Sequence, residues 1–138
     1  KIEAAKREFF KQELTLSDAE MDKFWTVYTD FRKNERKNKK EIHTLTKDLR
    51  TNFETLSDSD VKAKTEAIHD LESKALDLKK KYVVDATKII GAKKTAKSLY
   101  LEHEFRKKLK ETLDKRPHGK QGQPMRSKDK ATPALEKK

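Results

Sequence analysis

Turn-forming residues are almost absent from the first 116 positions of this chain, which contain one glycine, Gly91, and no proline. Glycine and proline are the strongest local interruptions of regular structure. A long segment without them is expected to form a few long helices wherever its apolar residues recur at helical spacing. The apolar residues of this chain do recur in that way, and the sequence therefore predicts an all-α fold.

Few apolar residues are available to build a core. Hydrophobic residues make up 33% of the 138 positions and charged residues 43%, which is little for a thick core. We therefore expect thin helical layers: an elongated antiparallel hairpin of about four helices, forming one domain over residues 1–115. Residues 116–138 combine prolines, glycines and scattered charges without a period, which is typical of a disordered basic tail.

Two serines predict where the long helices begin. Ser17 is followed three residues later by Glu20, the spacing of a capping box, in which each side chain bonds a free backbone N–H of the first turn. Ser57 precedes Asp58 and Asp60, whose charges suit the positive end of a helix dipole. Helices are expected to begin near Asp18 and just after Ser57, following a short helix over residues 2–13.

Apolar stripes accompany these helices. The first helix carries Ile2, Ala5, Phe9, Phe10 and Leu14. The second helix, about 35 residues or 50 Å long, carries Met21, Phe24, Trp25, Tyr28, Phe31, Ile42, Leu45, Leu49 and Phe53. Between Arg32 and Glu41 this stripe is interrupted by polar residues, with Glu35 and Asn38 where it would pass. We therefore expect the middle of the helix to cross open solvent or a polar groove.

The third helix repeats apolar residues about every 3.5 positions, which lets it lie antiparallel along the second. Its stripe consists of Val61, Ile68, Leu71, Ala75, Leu78, Tyr82, Ala86 and Ile89. Gly91 is expected to end it in a left-handed cap. A fourth helix over residues 93–115 carries Ala96, Leu99, Leu101, Phe105, Leu109 and Leu113, and is expected to close back on the third.

The densest aromatic cluster follows the Ser17 cap and consists of Phe24, Trp25, Tyr28 and Phe31. These residues spread over about a third of the helix circumference, which is wider than a narrow seam. We expect most of them to form core between helices one, two and four. The alternative is an exposed apolar patch or a dimer seam.

A basic run is the best candidate binding surface. The chain has a net charge of +11, which favours acidic partners such as nucleic acid, anionic lipid or acidic polypeptide segments. Several basic side chains share a side of the second helix, where they would attract acidic segments at long range. The alternative is a solvated helix face. The run consists of Arg32, Lys33, Arg36, Lys37, Lys39 and Lys40.

Several functional classes are not expected. There is no cysteine, so disulfides, thiolate metal sites and cysteine nucleophiles are excluded. No phosphate loop, nucleophile elbow or metalloprotease motif occurs, so we expect neither an enzyme nor a bound cofactor. Apolar runs are too short for a membrane span. The missing initial methionine predicts a longer precursor and is compatible with export.

LTLSDAEMDKFW precedes a very long helix, and SLYLEHEFRKKL lies in the last helix. This order of elements resembles the LTxxQ-motif Spy/CpxP-like family of periplasmic helical proteins. That family includes ZraP and CnrX-like metal-responsive members. The second family motif is missing near Ala92. Residues that carry the resemblance, with structural roles, are Leu16, Ser17, Glu20, Phe24, Trp25, Tyr100 and Phe105, with Glu102 and Arg106 beside the last two.

The resemblance implies a homodimeric, curved, cradle-like protein of the periplasm that holds unfolded client polypeptides without ATP under envelope stress. The first alternative is a metal-responsive sensor. The second alternative is a basic protein that binds nucleic acid or acidic envelope surfaces. For the sensor, His43 and His69 fall at the same level of the predicted hairpin. Each follows an apolar stripe residue and so points away from the stripe, which favours exposed histidines over a metal site.

Overall fold

The computed structural model describes residues 1–114, and these form four α-helices and no strand. Helix α1 spans Ile2–Leu14, α2 Asp18–Thr51, α3 Asp58–Ile90 and α4 Ala92–Asp114. The predicted all-α class and the number of helices are confirmed. Within the described range, no helix combines the length and apolarity needed to cross a bilayer. The predicted tail over residues 116–138 lies outside the described residues.

Compact packing divides the chain into two units, Lys1–Glu102 and His103–Lys138. The first unit contains α1, α2, α3 and the beginning of α4. The described part of the second unit is the rest of α4, where Phe105 is 8% exposed and Leu113 45% exposed. Thr112 there donates its hydroxyl to the carbonyl of Lys108 at 3.0 Å.

Helices α2 and α3 form the predicted antiparallel hairpin. Near the turn, the Lys64 ammonium lies 2.8 Å from the Asp48 carboxylate. Further along, the Asn38 side chain donates to the carbonyl of Leu71 at 2.7 Å. Far from the turn, the rings of Phe31 and Tyr82 stack with centroids 4.6 Å apart. As the residue number falls along α2, the number of its partner on α3 rises by a similar amount, as antiparallel helices joined by a short turn require.

The helix ends follow local sequence signals. The Ser17 hydroxyl accepts from the N–H of Glu20 at 3.1 Å, and the Glu20 carboxylate accepts from the N–H of Ser17 at 2.9 Å, which confirms the capping box. Ser57 accepts from Asp60 in the same way. Gly91 has the expected positive φ of 87°, but its ψ of 162° is extended rather than left-handed. Thr15 adopts a left-handed conformation after α1, with φ 52° and ψ 60°.

The aromatic cluster lies at the centre of the first unit. Phe24, Tyr28 and Phe31 are buried, while Trp25 is partly buried against the core. Rings from two other helices complete it: Phe10 of α1 lies 4.8 Å from Tyr28 between centroids, and Tyr82 of α3 stacks on Phe31. Most of the cluster is core, as expected, but α3 also contributes a ring to it, whereas the sequence predicted a core between helices one, two and four.

The predicted apolar stripes of α1 and α4 differ from the faces that are buried. In α1 the buried residues are Phe10 and Leu14, whereas Ile2 is 57% exposed. In α4 Leu101 is buried, but Leu99 is 42% exposed and Ala96 is exposed too. Phe53 lies beyond the end of α2 and is 61% exposed. A short helix needs only one or two large side chains to anchor it, so the phase of its other apolar residues is set by packing.

Polar residues take the places of the expected α4 stripe. Thr95, Ser98 and Glu102 are buried. The hydroxyls of Tyr82 and Ser98 lie 2.5 Å apart, Ser98 also donates to the carbonyl of Thr95 at 2.6 Å, and Tyr28 donates to Glu102. Hydrogen bonding offsets the cost of burying Ser98 and Glu102, whereas the buried Thr95 hydroxyl has no hydrogen-bond partner. This face of α4 is thus part of the core despite its composition.

The polar middle of α2 does not cross open solvent. Asn38 is 2% exposed because its amide donates to Leu71 on α3. The neighbouring Glu35 is half-buried and bonds Arg32 at 2.5 Å. At Asn38 the helix is thus held by a buried polar contact with α3, where the sequence predicted open solvent or a polar groove.

Candidate functional site

An open groove lies between α2 and α3 on the turn side of Asn38. Its volume is about 590 Å³. Leu45 of α2 and Ala67 and Leu71 of α3 give it an apolar floor, and its rim is polar, formed by Lys40, Glu41, Thr44 and Asp70. The groove is therefore suited to a ligand that combines an apolar side chain with polar or charged groups on either side.

The groove exists because two helices alone cannot cover their own apolar stripes. Every side chain from position 39 to position 81 is exposed or only partly buried. The stripe residues Leu45, Ile68 and Leu71 are partly buried, whereas the stripe residues beyond Asn38, such as Phe31 and Tyr28, are buried. We call residues 39–81 the distal half of the hairpin. Its apolar surface is available to a partner.

The basic run does not act as one surface. Lys33, Arg36, Lys37, Lys39 and Lys40 are exposed, as expected of a binding surface. Spacings of three, four and seven residues place most of them on one side of α2, and Lys40 reaches the rim of the groove. Arg32 differs, because its side chain is 17% exposed and pairs with Glu35. Arg32 is therefore less accessible to a partner, and the exposed residues of the run are the other five.

Charge is distributed unequally between two facing segments of α2 and α3. Residues 32–51 of α2 include eight basic and three acidic side chains, whereas residues 58–78 of α3 include six acidic and three basic ones. Lys64 and Asp48 join the two helices near the turn, and their hydrogen bond raises the pKa of Lys64 and lowers that of Asp48. The α2 side of the hairpin is thus the more basic one, and at the groove itself Lys40 is accompanied on the rim by Glu41 and Asp70.

A cluster that sequence reasoning missed joins three helices around the Glu102 carboxylate. Lys6 of α1 lies 3.1 Å away, the Tyr28 hydroxyl donates to it, and the Nε of Arg32 lies 3.8 Å away. Burial opposes ionisation of Glu102, but the hydrogen bonds from Tyr28 and Lys6 outweigh it, so its pKa is lowered. Burial and the bond to Glu102 raise the pKa of Tyr28.

No local pattern could have revealed this cluster, because its members are up to 96 positions apart in the chain, at Lys6 and Glu102. The one sequence feature that pointed to it is that each of the three helices carries a charged residue in line with its apolar stripe. The cluster holds a proton donor beside a carboxylate, and the charge of Glu102 is offset by Lys6 and Arg32, although the Arg32 Nε has no hydrogen-bond partner. We therefore interpret it as a structural tie rather than as a reactive site.

The two candidate metal-binding histidines are exposed and have separate surroundings. His43 borders a shallow cavity of about 380 Å³ with Asp48 and Lys47. His69 has its Nδ1 2.9 Å from the carboxylate of Glu72 on its own helix. Among residues 1–114 no three histidine or carboxylate side chains are gathered as metal ligands.

The residues that carry the family resemblance have different environments. Leu16 and Phe24 are buried, and Ser17 with Glu20 caps α2. Phe105 is also buried, in the second unit. Tyr100, expected to have a structural role, is 55% exposed. It borders a cavity beside Leu14 and contributes little to the core.

Comparisons with protein-family models, curated proteins and solved structures find no match to this chain.

Proposed function

We propose that this protein is an ATP-independent, chaperone-like binding protein that holds acidic, partly apolar segments of unfolded polypeptides in the groove of its distal hairpin. The observation that carries the proposal is the groove itself, whose apolar floor at Leu45 and Leu71 lies beside the exposed basic side chains of α2, with Lys40, Glu41 and Asp70 on its rim. The resemblance to the Spy/CpxP-like family supports the same function and adds a periplasmic location and a role in envelope stress.

The expected binding mode has two steps. Exposed lysines and Arg36 on α2 first attract acidic segments, since complementary charge mainly increases the rate of encounter. Apolar side chains of the segment then contact the open stripe of the groove, which the hairpin cannot cover by itself. Because these contacts are few and exposed to water, binding is weak and reversible, which suits a protein that must release clients without ATP.

We also propose that the protein acts as a homodimer, as the resemblance implies. The unequal charges of α2 and α3 support this, because an isologous contact can place the basic helix of one copy beside the acidic helix of another. Sedimentation equilibrium at low and high salt tests it. A dimer that weakens with salt agrees with the proposal, and a monomer at every concentration used for client binding contradicts it.

The deciding experiment measures aggregation by light scattering. A chemically unfolded client is diluted into buffer with and without the protein, at low and high salt. We expect suppression near one dimer per client, weakened by salt because encounter is electrostatic. No suppression at several-fold excess would overturn the chaperone assignment and favour the metal-sensor alternative, which a calorimetric titration with zinc then tests.

Two charge-reversed variants locate the site. The groove variant changes Lys33, Arg36, Lys37 and Lys40 to Glu, and the matched control changes the exposed Lys79, Lys80, Lys88 and Lys93 to Glu, so that both have the same net charge. The groove variant should lose most suppression while its helical circular dichroism stays unchanged, and the control should keep it. Equal loss in both would mean that net charge, rather than the groove, binds the client.

A further inference from the structure

A second cavity lies between α2 and α3, on the other side of Asn38 from the groove. Its volume is about 220 Å³. Phe31 of α2 and Tyr82 of α3 are buried in its wall, and Leu78 is partly buried beside them. Apolar side chains thus line this cavity as they line the groove, and its charged members are Asp30, Lys81 and Asp85.

The cavity and the groove open on the same side of the hairpin. Seven residues advance a helix by nearly two full turns, so residues seven positions apart lie within about 20° of each other around its axis. On α2, Asn34 lines the cavity and Glu41, seven positions on, lines the groove. On α3, Leu71 lines the groove and Leu78, also seven positions on, lines the cavity. The two together form one cleft, which we call the α2–α3 cleft.

Two lysines flank the middle of this cleft, one on each helix. Lys37 is seven positions from Asp30 of the cavity and seven from Thr44 of the groove, so it lies on the same side of α2 between them. Lys74 is likewise seven positions from Ala67 of the groove. Both lysine side chains are exposed, and neither is paired with a carboxylate among residues 1–114.

The two lysines lie at nearly the same level of the hairpin. The hydrogen bond from Asn38 to Leu71 joins the helices at this level. Lys37 precedes Asn38 by one position and Lys74 follows Leu71 by three, which on antiparallel helices leaves them about 3 Å apart along the axis. An anionic group held between the helices here would therefore lie beside both ammonium groups.

Charges at the two ends of the cleft are of both signs. At the cavity, Lys81 pairs with Asp85 at 2.7 Å, and Asp30 lies on the opposite helix. At the groove, the rim carries Lys40, Glu41 and Asp70. The middle, with an unpaired lysine on each helix, is thus the part of the cleft best suited to an anionic group.

A helix fits this cleft better than an extended segment does. Both walls are helices, whose backbone N–H and C=O groups bond within each helix. An extended segment would therefore bury backbone groups without partners, whereas a helix satisfies its own. A helix also presents apolar side chains at the spacing that the two walls use. The cleft extends from Val27 to Leu45 on α2, a length of about 27 Å or about five helical turns.

We propose that the α2–α3 cleft binds an amphipathic helix of about five turns that carries two acidic side chains at its centre, one on each side of its apolar stripe. The stripe covers Leu45, Leu71 and Leu78, and the central carboxylates lie beside Lys37 and Lys74. This inference rests on the proposed function, because it names the kind of client segment that the groove holds.

Fluorescence anisotropy with labelled peptides of about 18 residues tests the proposal on the full chain. The first peptide has leucines at helical spacing and two central glutamates, and the second has lysines in place of these glutamates. The protein should bind the first peptide about tenfold more tightly, because the second replaces attraction to two lysines by repulsion. The variant with Lys37→Glu and Lys74→Glu should reverse this order.

The matched control is the variant with Lys39→Glu and Lys79→Glu, which has the same net charge. These exposed lysines lie about 160° and 140° around their helices from Lys37 and Lys74. The control should keep the order of preference of the unchanged protein. The same order in both variants would overturn the placement of the acidic side chains.

A third peptide, with prolines on the solvent side of the first, tests the helical form with the unchanged protein. Proline breaks a helix, so this peptide should bind more than about tenfold more weakly. Equal binding would overturn the proposal in favour of an extended segment. Loss of self-association in the variant at Lys37 and Lys74 but not in its control, measured by sedimentation equilibrium, would overturn it in favour of a second copy of the chain.

The light-scattering assay of client aggregation gives an independent result. Suppression without binding of the first peptide would overturn this inference and leave the proposed function standing. Binding of the first peptide without suppression would overturn the proposed function and support the α2–α3 cleft as a site for an amphipathic helix.

Discussion

Ser17 and Ser57 cap the two long helices, but their surroundings differ. The cap at Ser17 adjoins buried Leu16 and Met21, whereas every residue from 57 to 60 is exposed. Loss of an N-cap costs about 1 kcal/mol. Ser17→Ala should lower the free energy of global unfolding by about that amount, and Ser57→Ala by much less, because the start of α3 can fray while the core stays folded. Urea unfolding followed by Trp25 fluorescence measures both.

Ser17→Asp is the control for this comparison, because aspartate also accepts a hydrogen bond at the N-cap. It should retain the stability that Ser17→Ala loses. Equal losses at positions 17 and 57 would mean that the beginning of α3 unfolds together with the core.

Asn38 is buried in the α2–α3 hairpin with one half of its amide unpaired. Its nitrogen donates to the carbonyl of Leu71, while its Oδ1 has no hydrogen-bond partner. Asn38→Leu removes that orphaned oxygen and continues the apolar stripe, so we expect it to stabilise the hairpin by about 1 kcal/mol. Asn38→Asp buries a charge and should destabilise it by more. Thermal unfolding compares the two, and a large loss in Asn38→Leu would show that its hydrogen bond outweighs the unpaired oxygen.

Residue-scale features could be predicted from the sequence when they depend on near neighbours. The capping box needs only Ser17 and Glu20, three positions apart, and it was predicted. The burial of Arg32 was missed, because it depends on the packing of α2 against α4 near Glu102, which is distant in the chain, although the pairing of Arg32 with Glu35 is local. Long-range ion pairs depend on how helices pack, and that packing cannot be read from a single sequence.

At the scale of the elements, the hairpin has one half with a core and one without. No side chain of residues 39–81 is buried, so opening this part exposes little additional apolar surface. Hydrogen exchange should therefore be faster in the distal half than in the part of α2 around Phe24 and Tyr28. Peptide-level exchange monitored by mass spectrometry measures the difference. A bound client or a second copy should slow exchange in the distal half, and uniform protection of the free protein would contradict this picture.

Helix boundaries could be predicted because glycine, serine caps and apolar periodicity are local signals. The buried faces of α1 and α4 could not be predicted in this way. In α4, hydrogen bonds with Tyr82 and Tyr28 let Ser98 and Glu102 enter the core in place of Leu99. The groove was also missed as a cavity, although the polar interruption before it was visible. An apolar stripe in the sequence does not show whether a third layer covers it.

At the scale of the first unit, Glu102 ties α1 and α2 to the beginning of α4. Its partners are Lys6, Tyr28 and Arg32, and Lys6 also lies 3.4 Å from Glu3. Since the aromatic core lies between these helices, the carboxylate stabilises the packing of all three. Such a tie is expected to depend on pH, because a protonated carboxyl no longer attracts the two cations.

The direction of that dependence follows from the lowered pKa of Glu102. The carboxyl has an ordinary pKa of 4.5 when unfolded and a lower one when folded, so the unfolded chain takes up the proton first as pH falls. The stabilisation is complete above about pH 5 and is lost as pH falls through the folded pKa. Glu102→Gln should thus destabilise the protein at pH 7, yet differ little from the parent near pH 2. Urea unfolding across this range tests it, with the exposed Glu66→Gln as control. A constant difference between Glu102→Gln and the parent at every pH would mean that the side chain acts through its shape and hydrogen bonds rather than its charge.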